Sequence, residues 1–146
     1  MPMALDNRKD PYGAFRFLVE LEGLVVGGFA EVSGLQAETE VEEYREGGVN
    51  EHPHKLRKIT RYPNLVLRRG ITDCRVLWEW YRDVIAGTVS RRNGAVILMD
   101  REGNPAWRME FSGAYPVKWE GPELKADGNA TAIEKVELVH NGLKVE

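Results

Sequence analysis

Apolar residues recur at every second position over most of this chain, and that period belongs to half-buried β-strands. Phe15, Phe17, Val19 and Leu21 share one face of a predicted strand, with Arg16 and Glu20 on the other. Val25 to Val32 reads as a second strand, in which Gly27-Gly28 marks a bulge or a close backbone approach. Leu65, Leu67 and Arg69 alternate with Val66 and Arg68 up to Gly70. Ala95 to Met99 is a continuous apolar run, the pattern of a buried strand. Trp107, Met109 and Phe111 alternate in the next strand, Tyr115, Val117 and Trp119 in another, and Ile133 to Val139 forms the last. Turn signals at Asn93-Gly94, Asp100 to Asn104, Gly121-Pro122 and Asn141-Gly142 separate them.

The period changes once. Leu77, Trp80, Tyr81 and Val84 recur at i, i+3, i+4 and i+7, a helix stripe facing a core, with Thr72 or Asp73 as its cap and Ala86-Gly87 as its stop. Trp78 and Trp80 fall on different faces, so one of them is directed toward a partner. The pattern predicts a mainly β (α+β) domain, a barrel or sandwich of about seven or eight strands with one packed helix; closure would protect the strand edges. Leu77, Trp80, Tyr81, Val84, Trp107 and Trp119 are its expected core residues.

Residues 36–60 depart from this pattern. Glu38, Glu40, Glu42, Glu43 and Glu46 crowd the first limb against one Arg45; Gly47-Gly48 breaks the chain; Lys55, Arg57, Lys58 and Arg61 follow without an acid after Glu51. A solvated hairpin whose limbs neutralise each other would explain the charges. The thin apolar pattern and unusual length favour an arm that docks on a neighbouring chain. Glu42, Glu43, Tyr44, Arg45, Glu46, Gly47, Gly48, Val49, Asn50, His54, Lys55 and Leu56 are the expected inter-subunit contacts. Residues 1–13 are polar, end in Asp10-Pro11-Tyr12-Gly13, and are expected to form a flexible N-terminal arm ahead of a single domain over residues 14–146.

Composition narrows the function classes. The 146 residues are 42% hydrophobic and 29% charged, ordinary for a globular chain and unlike a disordered one. The net charge of −3 disfavours a generic nucleic-acid coat. One cysteine excludes an internal disulfide framework and fits folding in a reducing compartment. Neither a secretory signal pattern nor a membrane-spanning stretch is evident, so no membrane anchor is expected.

Candidate chemistry is sparse. There is no nucleophile elbow, phosphate loop or dinucleotide fingerprint. His52-Pro53-His54 with Glu51 lacks a further ligand cluster, so no metal site is expected. Cys74 lies near a helix start, where a thiolate is favoured, but no local base accompanies it. The four tryptophans could stack bases, yet the basic pairs Arg68-Arg69 and Arg91-Arg92 are too short to make a groove. Arg68 and Arg69 could instead hold a phosphate in a small flavin- or nucleotide-binding barrel enzyme, the competing reading. Neither catalytic residues nor a cofactor are otherwise expected.

Several segments together resemble the tail tube proteins of contractile phages and the inner tube proteins of contractile injection systems. They are Phe29 to Leu35, Glu43 to Gly48, Leu67 to Thr72, Trp78 to Tyr81, Tyr115 to Pro122 and Ala132 to Leu143, in that order along nearly the whole chain. His54-Lys55-Leu56-Arg57-Lys58 departs from a Lys-Leu-Pro-Gly-like segment of some members. The segments around the arm look more like the variant beside the spike hub than like the trunk protein. The resemblance implies a structural protein, not an enzyme: a homo-hexameric ring stacked into a hollow tube within a contractile sheath. Spike or hub baseplate proteins would meet one end and a tube terminator the other, with DNA or protein cargo in the lumen. Assembly would occur in the cytoplasm, and the subunit would be a component of a phage virion tail or of an injection particle, either released or membrane-associated. A ring-shaped cargo carrier without a sheath would share this fold.

The physics of the residues is compatible with that picture. A head-to-tail contact that closes yields a ring. Strands with open edges can pair with the next protomer and continue a sheet around the lumen. Opposite limbs of the arm could bind adjacent rings by charge complementarity, with Tyr44, Val49 and Leu56 adding apolar contact. Six copies would carry six times the charge of −3, and a lumen of that sign would keep DNA from adhering.

Overall fold

The two-residue alternation folds into ten strands and one helix in the computed structural model, which describes residues 16–22, 24–26, 29–45, 47, 53–128 and 132–146. In chain order these are β1 (Phe17–Leu21), β2 (Leu24–Val26), β3 (Phe29–Ser33), β4 (Glu38–Tyr44), β5 (His54–Arg61), β6 (Leu65–Gly70), α1 (Val76–Ile85), β7 (Arg92–Met99), β8 (Pro105–Glu120), β9 (Ile133–Val139) and β10 (Gly142–Val145). Eight strands form one sheet in the order β2-β1-β7-β8-β9-β6-β3, with β10 also on β8; β4 and β5 form a separate ladder. The expected N-terminal arm, residues 1–13, lies outside the described residues.

One long strand turns the sheet on itself. From Pro105 to Ala114, β8 pairs with β7, and from Tyr115 to Glu120 it pairs with β9. Two strands were expected here, one at Trp107 to Phe111 and one at Tyr115 to Trp119; they are a single 16-residue strand. Gly113, at φ 62°, bends it without breaking it, and a Cβ there would lie 2.3 Å from the Asn141 side chain. Such bends let a strand pass from one packed layer to another. At the far end of the order, β3 returns beside β1.

A second difference concerns Val25 to Val32. Its first part belongs to β2, where Val26 pairs with Val19 of β1; its second part is β3, which pairs with β6 at the opposite end of the sheet. Two different ladders claim the two halves, so the chain crosses between them. Gly27 and Gly28 lie outside the described residues.

The inner face carries Val19, Leu21, Leu65, Leu67, Val96, Phe111, Val136 and Leu138, and α1 closes the core with Leu77 and Trp80. Each such side chain contributes about 1.5–3 kcal/mol by leaving water. Trp80 is anchored as well as buried: its Nε1 donates to the Ser90 carbonyl at 2.7 Å, and the Arg92 guanidinium lies 5.1 Å from its ring centre. Tyr81, Val84 and Trp107 are half-buried. Trp119 is half-buried and packs against the core, whereas Trp107 lies outside that cluster. The helix begins at neither expected cap. Arg75 occupies the cap position without a side-chain bond, because Thr72 Oγ1 takes the Cys74 N–H at 3.2 Å in a turn that ends short of the helix. The stop is as expected: Gly87 has φ 96°, and Ala86 and Gly87 donate to the carbonyls of Arg82 and Val84.

Candidate assembly surface

The β4–β5 hairpin forms a ladder that pairs with no other strand among the described residues, and nearly all of its side chains are exposed. Its register sets Glu38 opposite Arg61, Thr39 opposite Thr60, Val41 opposite Arg57, Glu42 opposite Leu56, Glu43 opposite Lys55 and Tyr44 opposite His54. Thr39 and Thr60 share a hydrogen bond of 2.9 Å between their hydroxyls, and Arg61 reaches Glu40 at 2.8 Å. The Tyr44 and His54 rings lie 6.3 Å apart. Cross-strand partners share a face, so Glu42, Tyr44, His54 and Leu56 lie together on one side, and Val41, Glu43, Lys55 and Arg57 on the other.

Of the expected contact residues, Glu42, Glu43 and Tyr44 stand on β4, His54, Lys55 and Leu56 on β5, and Arg45 and Gly47 just beyond β4. Glu46, Gly48, Val49 and Asn50 lie outside the described residues. Two further apolar residues of the arm, Val41 on the face opposite Tyr44 and Leu56, and Ile59 on β5, are each about half exposed. The signal for both was present: an isolated β-branched residue between charges marks a strand face.

The roots of the arm are clamped to the main sheet. Gly34, at φ 90°, presses on the Asn64 carbonyl so closely that a Cβ would lie 2.1 Å from its oxygen. Asn64 Nδ2 donates to Glu137 Oε1 at 3.1 Å, and His140 Nε2 donates to the Pro63 carbonyl at 3.1 Å. Tyr62 lies against the His140 ring, with centroids 5.7 Å apart. Thus β9 and the residue after it hold the segment that leads from β5 into β6, and Gly34 packs the other root of the arm against that segment.

A second exposed surface lies on α1. Trp78 is only partly exposed, because its ring packs on Trp119 of the same chain at 4.9 Å; Ile85, Val89 and Val117 are also uncovered. Below them Arg69 and Glu134 form a buried ion pair, and Trp119 Nε1 donates to the other Glu134 oxygen at 2.9 Å. Arg69 Nη2 also donates to the Cys74 carbonyl at 2.8 Å. The Cys74 thiol is exposed, and its pKa is lowered chiefly by the Val76 N–H and then by Arg69.

These contacts dismantle the phosphate-binding reading of Arg68 and Arg69. Adjacent strand residues point to opposite faces: Arg69 is 2% exposed and occupied by Glu134, while Arg68 faces outward toward Glu31 at 3.8 Å. An open groove of about 500 Å³ lies elsewhere, between β1, β7, β8 and β10. Arg108 crosses it with ion pairs to Glu20 at 3.0 Å, Glu146 at 3.1 Å and Glu110 at 3.3 Å; the Glu20 bond does most to raise its pKa. Among the described residues no three His, Cys, Asp or Glu side chains gather as metal ligands.

The family described as T4-like virus tail tube protein gp19 matches residues 13–144. Among solved structures, a chain from the PVC sheath–tube complex of an extracellular contractile injection system, in its extended state, superposes with a TM-score of 0.86. It is 22% identical and the match covers 100% of this chain and 98% of that one. A chain from the tube terminating cap of the anti-feeding prophage also gives 0.86, at 23% identity and 100% and 99% coverage. Hcp1 from Flavobacterium johnsoniae gives 0.59, at 16% identity and 88% and 93% coverage. These likenesses show a shared fold. No curated protein matches the chain.

Proposed function

The chain belongs to the T4-like virus tail tube protein gp19 family, and on that premise we propose that it closes into six-membered rings stacked as the hollow inner tube of a contractile tail or injection particle. The arm of residues 36–60 makes the contacts between copies. A contractile sheath surrounds the tube, spike or hub proteins and a terminator meet its ends, and the bore conducts DNA or protein. The subunit assembles in the cytoplasm and acts as a conduit, without catalysis or cofactor. Among the described residues no helix is long and apolar enough to cross a membrane.

One observation carries this reading. The β4–β5 hairpin stands apart from the sheet with Val41, Tyr44, Leu56 and Ile59 about half exposed and both outer edges unpaired among the described residues. A two-stranded ribbon is marginal in water, and uncovered edges invite pairing with another chain. Head-to-tail contact between copies supplies such a cover, and closure of that contact produces a ring.

Negative-stain imaging of the purified protein tests the reading. Rings and stacked tubes are expected, and deletion of residues 47–51 is expected to abolish long tubes. A sample that stays monomeric at high concentration overturns the proposal; normal tubes from the deletion variant overturn the role of the arm.

A further inference from the structure

The bend in β8 separates two packed layers, and one of them holds β3, β6, β9 and β8 from Tyr115 to Glu120. One face of that layer meets the core through Leu67, Val136 and Trp119. The other face is a ladder of charges. Across the four strands Glu31 stands opposite Arg68, Arg68 opposite Lys135, Lys135 opposite Glu120, and Lys118 opposite Glu137. Arg68 reaches Glu31 at 3.8 Å, and Glu120 takes both Lys118 at 3.0 Å and Lys135 at 3.9 Å. Glu137 accepts from Asn64 at 3.1 Å. Three cations and three carboxylates therefore cancel on a face of a chain whose net charge is −3. The loop after β8 adds Glu123 and Lys125 beside Arg68 and Lys135, one of each sign. Among the paired positions of this face only Ile133 is a large exposed apolar residue.

We propose, resting on the tube reading above, that this face lines the bore and that its cancelled charge suits a polypeptide cargo of mixed sign rather than DNA. The arm leaves the chain between β3 and β6, so the β3 edge of this layer stands at the contact between copies. Among the described residues β3 pairs with β6 alone, and β8 from Tyr115 to Glu120 pairs with β9 alone, so the layer has an edge on either side. Set edge toward edge, four strands per copy at about 4.8 Å spacing give six copies a wall about 115 Å around and about 37 Å across between backbones, which strand tilt widens. The second layer and α1 thicken each protomer on the core side, and that bulk takes the longer outer perimeter. The charged ladder is left facing the bore.

The sign of the wall then bears on the cargo. DNA carries one sign throughout, and a wall of the same sign keeps it from adhering. Such a wall would hold the basic segments of a polypeptide. Here neighbouring positions alternate in sign and each carboxylate has a donor, so the field fades within about 8 Å at physiological ionic strength. A chain that bears both signs meets no surplus charge to hold it. The negative surplus of the subunit lies on its other surfaces.

Tubes assembled in the presence of a fluorescent lysine-rich or glutamate-rich polypeptide, then exposed to protease to clear the outer surface, test the proposal. The unaltered tubes should protect neither probe. The variant Arg68→Glu, Lys118→Glu, Lys135→Glu gives the wall a single negative sign and should protect the lysine-rich probe at least about tenfold more. Protection of that probe by unaltered tubes reveals an acidic bore suited to DNA and overturns the inference; protection of the glutamate-rich probe reveals a basic bore and does the same. Variant tubes that behave like unaltered ones remove this face from the bore. Each of these results leaves the tube reading intact, whereas a chain that forms no rings overturns both.

A second measurement does not depend on reversing charges. In a Cys74→Ser background, Lys118→Cys should react in tubes with a small maleimide but not with a maleimide on a carrier wider than the bore, and with both in dissociated protomers. Reaction with the wide carrier in tubes places the residue outside, and reaction with neither reagent places it in a contact between copies; both results overturn the inference.

Discussion

Arg69 of β6 and Glu134 of β9 form a hydrogen-bonded ion pair of 2.5 Å, with side chains 2% and 7% exposed. The pair binds two adjacent strands from within the core. Through the Trp119 and Cys74 contacts it also links β8 and the segment leading into α1. Breaking a buried pair leaves one charge desolvated and uncompensated. Glu134→Ala is therefore expected to cost about 3–5 kcal/mol in urea unfolding. Arg69→Met with Glu134→Leu should recover much of that loss. A single variant as stable as the unaltered chain would show that the pair holds nothing together.

Trp80 is expected to behave as the keystone of the helix. It is 1% exposed and its indole N–H bonds to Ser90, so Trp80→Ala should cost about 3–5 kcal/mol. Trp80→Phe retains most of the apolar bulk and removes the donor. The exposed or buried fate of the Ser90 carbonyl then sets a smaller loss, about 1 kcal/mol. Thermal unfolding of both variants measures the separation, and an unchanged midpoint for the alanine variant contradicts the observed packing.

Tyr44 and Leu56 separate assembly from folding. They share a face of the arm and are 50% and 51% exposed in the single chain. The double change Tyr44→Ala, Leu56→Ala should leave the unfolding midpoint of the protomer nearly unchanged. It should raise the concentration needed for rings by about tenfold or more, equivalent to roughly 1.4 kcal/mol per contact. Sedimentation at a series of concentrations reads the shift. Unchanged assembly would remove these two residues from the contact.

Cys74 supplies a prediction about pH. The Val76 N–H, first, and the Arg69 guanidinium, second, favour the thiolate over the thiol. The folded chain therefore releases this proton at a lower pH than the unfolded chain does. Alkylation of dissociated protomers by iodoacetamide should rise earlier with pH than alkylation in urea, and Arg69→Met should move the profile upward. Coincident profiles for folded and unfolded protein would contradict the thiolate stabilisation.

Much of the fold was legible because alternation is a local record of which face meets the core. It located the strands from Phe17 to Leu21, Leu65 to Gly70 and Ile133 to Val139, and the stripe of α1 through Leu77 and Trp80. It also marked residues 36–60 as the segment without a core, where the exposed hairpin lies. Boundaries that depend on distant partners were less accessible. The period alone cannot tell that Val26 returns to Val19 while Val32 pairs with Leu67. Nor can it tell that Gly113 bends β8 instead of ending it.

Arg68 and Arg69 show where the two kinds of information part. The local pattern already determined that neighbouring residues in this strand face opposite ways, and that Arg69 shares a face with Leu65 and Leu67. Only tertiary structure decided what that means for its charge. A guanidinium on an inner face is tolerable when a carboxylate is brought to it, and Glu134 stands 65 positions further along the chain. Similarly, the acidic and basic limbs of residues 38–61 were written in the sequence, but which acid stands opposite which base is a consequence of strand register. Period and charge are properties of nearby residues, whereas burial and pairing depend on contacts that exist only once distant segments have met.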